Sequence, residues 1–181
     1  MHTSLPRARI AVCLCSTLLI VVLNTPVCAV AQQSYDYRWS LFTCESEFPL
    51  DDPDELGRDL ELVRTELMSV TGVELSDEQV HLSLFANRKR YTTFVSLETG
   101  DARRQRGVFI NRDGQSQVYS FQQDQLAATL RHESTHALLH SALPYVPLWL
   151  DEGLASYFEA SAGEQGANHS NLKKLQWSLR V

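Results

Sequence analysis

Apolar residues recur every three or four positions along two long segments of the chain, which is the periodicity of helices that bury one face. The first segment runs from Asp54 to Val70 and is followed by Gly72, a residue type that is common just past helix ends. The second runs from about Gln122 to Ala142. Both segments are predicted to be amphipathic helices.

Four other segments alternate between apolar and polar residues, which is the pattern of strands with one buried face. They are Tyr37–Thr43, Gln79–Phe85, Gly107–Asn111 and Gln117–Phe121. Asp113 and Gly114 lie between the last two segments, and Asp-Gly is a strong signature of a two-residue hairpin turn. The sequence therefore predicts four strands, of which the last two form a hairpin.

Shorter helices are predicted around these segments. Residues 88–95 suit a short helix, residues 150–160 follow the helix-breaking Pro144 and Pro147, and residues 171–181 suit the opening of a further helix. Strands are concentrated early in the chain and helices late, so the predicted fold class is α+β. We expect a small sheet, mostly antiparallel or mixed, packed against the helices.

Residues 1–31 have the layout of a cleaved export signal. Arg7 and Arg9 give a positive start, an almost wholly apolar run follows, and Ala29-Val30-Ala31 fits the small-x-small cleavage rule. The apolar run, of about 14 residues, is shorter than the roughly 20 that a spanning helix needs. We expect a mature domain of residues 32–181 that is exported, periplasmic or secreted, without a stable membrane span.

Composition narrows the possible classes of function. The formal net charge is -6, whereas a nucleic-acid-binding protein needs a basic face, so nucleic acid is not an expected partner. The length of 181 residues suits one domain. Cys44 would be the one cysteine left after signal cleavage, so no internal disulfide is expected. It is interpreted as a small buried residue in a strand.

A metal-binding pattern, His132-Glu133-Ser134-Thr135-His136, lies inside the predicted helix 122–142. Histidines four positions apart project from one helix face, so both imidazoles can reach one Zn²⁺ at about 2.0–2.1 Å. Glu133 is rotated by about 100° from His132 and lies beside the metal, where it suits a general base. The pattern also occurs by chance on helix surfaces, so a third ligand has to support it.

Glu152 is that third ligand. It lies in the segment Trp149-Leu150-Asp151-Glu152-Gly153-Leu154-Ala155, and fifteen residues separate it from His136. The prolines allow the next helix to fold back, with Glu152 in its first turn and directed at the metal. Two histidines and one carboxylate leave the fourth zinc position open, which is the catalytic arrangement. The predicted site has His132, His136 and Glu152 on Zn²⁺ and Glu133 as the catalytic residue.

The segment HESTHALLH, followed by LPYVPLWLDEGLASYFE, resembles the gluzincin zinc metallopeptidases, especially small exported bacterial members of mostly unknown substrate. The close match covers residues 132–159. It implies a zincin-like fold in which the active-site helix is followed by a second ligand-bearing helix. It also implies hydrolysis of a peptide or protein substrate by metal-activated water, with Glu133 as base. By the same resemblance, Gln117–Phe121 is the strand along which an extended peptide would pair.

Two departures from this family limit the expectation. The gap between His136 and Glu152 is shorter than in thermolysin-like or large aminopeptidase members. The chain also stops soon after the second ligand-bearing helix, where larger members add a helical subdomain, so it is either a minimal form or a fragment. Two alternatives to a peptidase stay open: a non-catalytic zinc- or peptide-binding module, and a zinc amidase acting on cell-wall peptide.

Other histidine, acidic and aromatic residues are candidates for the site, but their spacing indicates a role less specifically. His140 extends the histidine row, but a third ligand of metzincin type would stand at position 142, which is alanine, so His140 is predicted to lie beyond the site. Asp151 suits either the orientation of a ligating histidine or a solvated helix start. Trp149 and Tyr157 are interpreted as packing residues, and His81 and His169 as structural or solvated.

Export processing can be tested directly. Protein recovered from the periplasm or the culture medium is expected to begin at Gln32, because the predicted signal ends at Ala31. Amino-terminal sequencing measures this. Protein that begins at Met1 in a membrane fraction would show an uncleaved anchor instead.

Overall fold

The computed structural model of the protein describes residues 34–99 and 105–160. The expected signal, the helix expected at residues 171–181 and His169 lie outside these two stretches. Within them, no helix is both long enough and apolar enough to cross a membrane.

The described residues form five strands and four helices, and the predicted α+β class is confirmed. In chain order the elements are β1 (Tyr35–Trp39), β2 (Phe42–Ser46), α1 (Pro53–Thr71), β3 (Val80–Phe85), α2 (Arg88–Thr99), β4 (Gly107–Arg112), β5 (Gln115–Phe121), α3 (Leu126–Ala142) and α4 (Leu148–Phe158). The sequence prediction began α3 too early and α4 too late, because neither helix has a side chain that caps its first turn.

The sheet is mixed and has the strand order β1-β2-β3-β5-β4. The two outer pairs, β1 with β2 and β4 with β5, are antiparallel. The two central pairs, β2 with β3 and β3 with β5, are parallel. Parallel neighbours need a crossover connection, and α1 provides one between β2 and β3.

The single strand predicted at Tyr37–Thr43 is wrong, because this segment spans a tight hairpin. Tyr37 on β1 lies opposite Cys44 on β2, and Ser40 and Leu41 form the turn between the strands. A period of two does not reveal where a chain reverses, and Ser-Leu lacks the glycine, proline, asparagine or aspartate that marks a turn most strongly. Cys44 itself is 3% exposed in β2, which confirms the prediction of a small buried residue in a strand.

Helices cover both faces of the sheet. The predicted apolar stripe of α1 is buried except for its last residue, Val70, which is exposed. It packs with alternate residues of the central strands and with α3, as Leu60, Leu82, Val118 and Leu138 illustrate. On the opposite face, α2 packs onto the intervening residues of β5. The α1 stripe ends as predicted, at Gly72, whose φ of 68° is the left-handed conformation that glycine tolerates.

The predicted Asp-Gly hairpin is confirmed and determines which strand is the edge of the sheet. Asp113 and Gly114 have φ of 53° and 81°, as a type I′ turn requires, and they join β4 to β5. Since β5 also pairs with β3, both of its sides are occupied. The expectation that Gln117–Phe121 is the edge for an extended peptide is therefore wrong, and β4 holds that position.

Gly57 allows the ring of Trp39 to pack directly on α1, and this contact can be tested. A Cβ at Gly57 would lie 2.3 Å from Trp39 Cδ1, while Trp39 is also stacked on Tyr37. Gly57→Ala is expected to lower the free energy of unfolding by about 1–3 kcal/mol through overpacking, although alanine is the better helix former.

Gly153→Ala on α4 is the matched control, because nothing lies within 4 Å of its added Cβ. This variant is expected to raise the free energy of unfolding by up to about 1 kcal/mol. Urea unfolding of both variants measures the effects. A Gly57→Ala protein as stable as the Gly153→Ala protein would contradict the close contact with Trp39.

Candidate metal centre

Three ligand atoms converge between α3 and α4. The Nε2 atoms of His132 and His136 are 3.3 Å apart, and the two oxygens of Glu152 lie 3.8 Å from the first and 3.9 Å from the second. A tetrahedral ion with bonds of about 2.0–2.1 Å holds its ligands roughly 3.3–3.4 Å from one another. The cluster could therefore hold one metal ion, and these are the three residues that the sequence predicts as ligands.

The position of Glu152 differs slightly from the expectation. Because α4 begins at Leu148, Glu152 is its fifth residue and lies just beyond the first turn. Asp151 occupies the first turn instead and is buried against α3. The helix therefore places two adjacent carboxylates at the histidine pair, one directed at each ring nitrogen of His136.

Asp151 orients His136. Its Oδ1 lies 2.7 Å from His136 Nδ1, so the Nδ1–H donates to the carboxylate and the Nε2 lone pair is directed at the ligand cluster. Burial opposes ionisation of Asp151, but hydrogen bonds from His140 and His136 hold the pKa of this carboxyl below its usual range. Of the two interpretations left open by the sequence, the structure favours the first, because Asp151 contacts His136, one of the three candidate ligands.

His140 lies behind the ligand atoms, and its role was only partly predicted. It is not part of the three-residue cluster, in agreement with its predicted place beyond the site. However, its Nε2 is 2.9 Å from Asp151 Oδ2, and its ring stacks on Phe109 with a centroid distance of 5.6 Å. Asp151 is thus held by two histidines from successive turns of α3.

The Glu133 carboxyl lies beside the cluster and is largely withdrawn from solvent. Burial raises its pKa to about 8, against a hydrogen bond from the Phe109 backbone N–H that lowers it. The carboxylates of Glu152, Glu159 and Asp151 raise the pKa further. A carboxyl group with this affinity for a proton near neutral pH suits a general base.

Close packing of β4 on α3 contributes to this burial. A Cβ on Gly107 would lie 2.7 Å from Thr129 Cγ2 and 2.9 Å from Glu133 Cγ, so only glycine permits this approach without a shift. The edge strand therefore runs directly alongside Glu133. The cleft between β4, α3 and α4 has a volume of about 770 Å³, enough for part of a peptide.

His132 is suited to bind a metal as the neutral imidazole. Burial lowers its pKa, and the neighbouring His136 lowers it further, against the opposing effect of Glu159, Glu152 and Asp151. A neutral ring keeps an unprotonated nitrogen for a metal ion.

Two aromatic residues do not have the packing roles predicted for them. Trp149 is 76% exposed and Tyr157 is 38% exposed, so neither is a core residue of α4, and neither lines the cleft. Both side chains lie on the outer side of the helix. His81 is structural as predicted, with its Nδ1 2.6 Å from Thr43 Oγ1 on the neighbouring strand.

Sequence reasoning missed two residues beside the site. Glu159 lies next to His132, and its distance of seven residues from Glu152 is two helical turns, so its position on the same face was predictable. Arg131 contacts the end of α4 and also Asp59, 72 residues earlier in the chain. No local pattern indicates such a long-range pair.

One family comparison covers the centre. A family profile described as "Protein of unknown function (DUF1570)" matches residues 126–178, a region that includes all of α3 and α4. No curated protein matches the chain. The description of the family names no activity, so a function has to be argued from the chemistry of the site.

The raised pKa of Glu133 predicts a pH dependence of the metal-free protein. The folded-state pKa of about 8 exceeds the ordinary value of 4.5, so the folded state binds more protons between these values. Stability must then fall as pH rises from about 4.5 to 8, by about 1.4 kcal/mol for each unit of pKa difference.

Glu133→Gln removes this titration, and groups remote from the centre titrate equally in both proteins. Urea unfolding of chelator-treated wild type and Glu133→Gln at pH 5 and pH 8 should therefore show a stability difference that grows by a few kcal/mol in favour of the variant. Parallel pH dependences would contradict the buried position of this carboxyl.

Proposed function

We propose that this chain is a zinc-dependent metallopeptidase of gluzincin type. His132, His136 and Glu152 would hold the ion, and Glu133 would act as general base. The observation that carries the proposal is the convergence of two imidazoles and one carboxylate, with a second carboxylate, that of Glu133, half-buried beside them in the same cleft. Imidazole and carboxylate ligands suit zinc, and three protein ligands leave one position open.

The residues around the ion have separate tasks in this proposal. When bound, zinc would polarise a water molecule and the carbonyl group of the substrate. Glu133 accepts the proton of the attacking water and returns it to the leaving amine. The Phe109 backbone N–H holds the Glu133 carboxylate in place, and Asp151 holds His136.

The edge strand β4 supports a peptide as the substrate. Gly107, Val108 and Phe109 line the cleft, and β4 pairs with β5 on its other side. An extended peptide can add to a sheet edge through main-chain hydrogen bonds, here to groups of β4 other than the Phe109 N–H, which donates to Glu133. This pairing would bring the carbonyl groups of the peptide past Glu133. In this proposal β4, rather than Gln117–Phe121, is the strand along which the peptide pairs.

The proposed setting is outside the cytoplasm, in the periplasm or secreted. This proposal is supported by the positive start, the apolar run and the small residues at positions 29–31. The proposed partner is a peptide or protein substrate, and the acidic composition supports no role for nucleic acid.

Chemistry and metal binding can be separated by two isosteric substitutions. Glu133→Gln is expected to retain one zinc per chain, because Glu133 is not a ligand, while casein cleavage falls by at least about 10²–10⁴-fold. Glu152→Gln removes a ligand charge and is expected to weaken both zinc retention and cleavage. Elemental analysis after dialysis and a casein assay measure the two effects.

Glu74→Gln is the matched control, because Glu74 is exposed and lies far from α3 in the sequence. Wild-type cleavage by Glu133→Gln would refute the proposed base. If the zinc-loaded wild type cleaves no member of a broad peptide library, a non-catalytic binding module replaces the peptidase. Activity confined to cell-wall peptides would favour the amidase alternative.

A further inference from the structure

Glu159 lies directly after α4, on the side of His132 that faces away from Glu152. Its Oε2 is 3.9 Å from His132 Nδ1, whereas His132 Nε2 belongs to the ligand cluster. Seven residues separate Glu152 from Glu159, and seven helical steps bring a side chain back to within about 20° of its starting direction. The two glutamates therefore lie on the same side of α4, one at each nitrogen of a single imidazole.

The main chain at Glu159 is anchored independently of its side chain. Arg131 donates from Nε and Nη2 to the Glu159 carbonyl oxygen, at 3.2 and 2.9 Å. The same guanidinium donates from Nη1 to Asp59 Oδ2 on α1, at 2.7 Å. Arg131 is buried, so this contact connects the end of α4 to both α3 and α1.

We propose that Glu159 is a positioning residue for His132, and that the Arg131–Asp59 pair holds it there. The inference rests on the proposed metal site. At 3.9 Å the Glu159 carboxylate is not yet hydrogen-bonded to His132 Nδ1, and this partly exposed group would move closer to accept the Nδ1–H. That hydrogen bond keeps the proton on Nδ1 and leaves the Nε2 lone pair for the ion.

The arrangement gives each ligating histidine its own carboxylate. Asp151 serves His136 and Glu159 serves His132, while Glu152 between them is the ligand. Glu159 is not itself placed as a ligand, because it faces Nδ1 rather than the point where the three ligand atoms meet. It acts through His132, and its loss should weaken metal binding without removing a ligand.

The experiment compares zinc dissociation constants, measured by competition with a chelator. Glu159→Ala keeps the backbone carbonyl that Arg131 contacts, so the helix end stays anchored. We expect zinc binding to weaken about 10–100-fold, which is typical for the loss of such an orienting partner. The urea midpoint of the metal-free protein should not fall, and a fall equal to that of a destabilised control such as Gly57→Ala would overturn the positioning role.

Conservative replacement supplies a second readout. Glu159→Gln retains an oxygen that can accept the Nδ1–H, so its zinc affinity should lie between those of the wild type and Glu159→Ala. In ¹H–¹⁵N spectra of the zinc-loaded wild type, the His132 Nδ1–H should give a hydrogen-bonded signal that Glu159→Ala shifts upfield. An unchanged signal in Glu159→Ala would overturn the proposed contact.

Arg131→Gln tests the anchor. If Arg131 acts through Glu159, the double variant Arg131→Gln, Glu159→Ala should bind zinc no more weakly than the weaker of the two single variants. Additive losses would overturn this part of the inference. If the wild type binds no zinc, the metal site itself is refuted. If the wild type binds zinc and Glu159→Ala binds it with the same affinity, only the role of Glu159 is overturned.

Discussion

The carboxylate of Asp151, held between His136 and His140, connects the two helices that form the centre. The two histidines are one turn apart on α3, and both of their contacts with Asp151 are shorter than 3 Å. Glu152 is the next residue in the chain, so a fixed Asp151 also determines where the ligand carboxylate can reach. The same contact sets the tautomer of His136, because a proton held on Nδ1 leaves the Nε2 lone pair free. The position of Glu152 and the tautomer of His136 thus both depend on the side chain of Asp151.

The candidate metal centre contains several acidic groups that repel one another when no cation is bound. Four carboxyl groups and two imidazoles share a partly buried cleft, and burial together with like charge raises the pKa of Glu133. Such strongly perturbed groups are typical of functional sites, because a fold gains no stability from placing them together. A divalent cation held by His132, His136 and Glu152 would offset much of this repulsion. The close approach of β4 at Gly107 increases the effect by excluding water from Glu133.

The parts of the fold and site that could be predicted from the sequence are those with local signals. The apolar stripe of α1, the Asp-Gly turn and the histidine pair on α3 depend on spacings of a few residues, and Glu152 follows within one connection. The identity of the edge strand could not be predicted, since it depends on which distant strands pair. The β1–β2 hairpin turns at a serine, without the stronger turn signals of glycine, proline, asparagine or aspartate, and the contact between Arg131 and Asp59 spans 72 positions. Glu159 was within reach of prediction, because a helical period of two turns connects it to Glu152.

The two ends of α4 are attached to the same neighbour, at its start through Asp151 and at its end through the carbonyl of Glu159. Leu148 and Trp149 precede the first attachment and are exposed, whereas the helix from Asp151 onward is held against α3 at both of its ends. Local opening of this part of α4 should then be cooperative, with its backbone amides exchanging with solvent as one group rather than in a gradient. Because Glu152 lies between the two attachments, its departure from the histidines and the opening of the helix would be the same event. The lifetime of the assembled centre would thus be set by the detachment of a whole helix, not by the motion of one side chain.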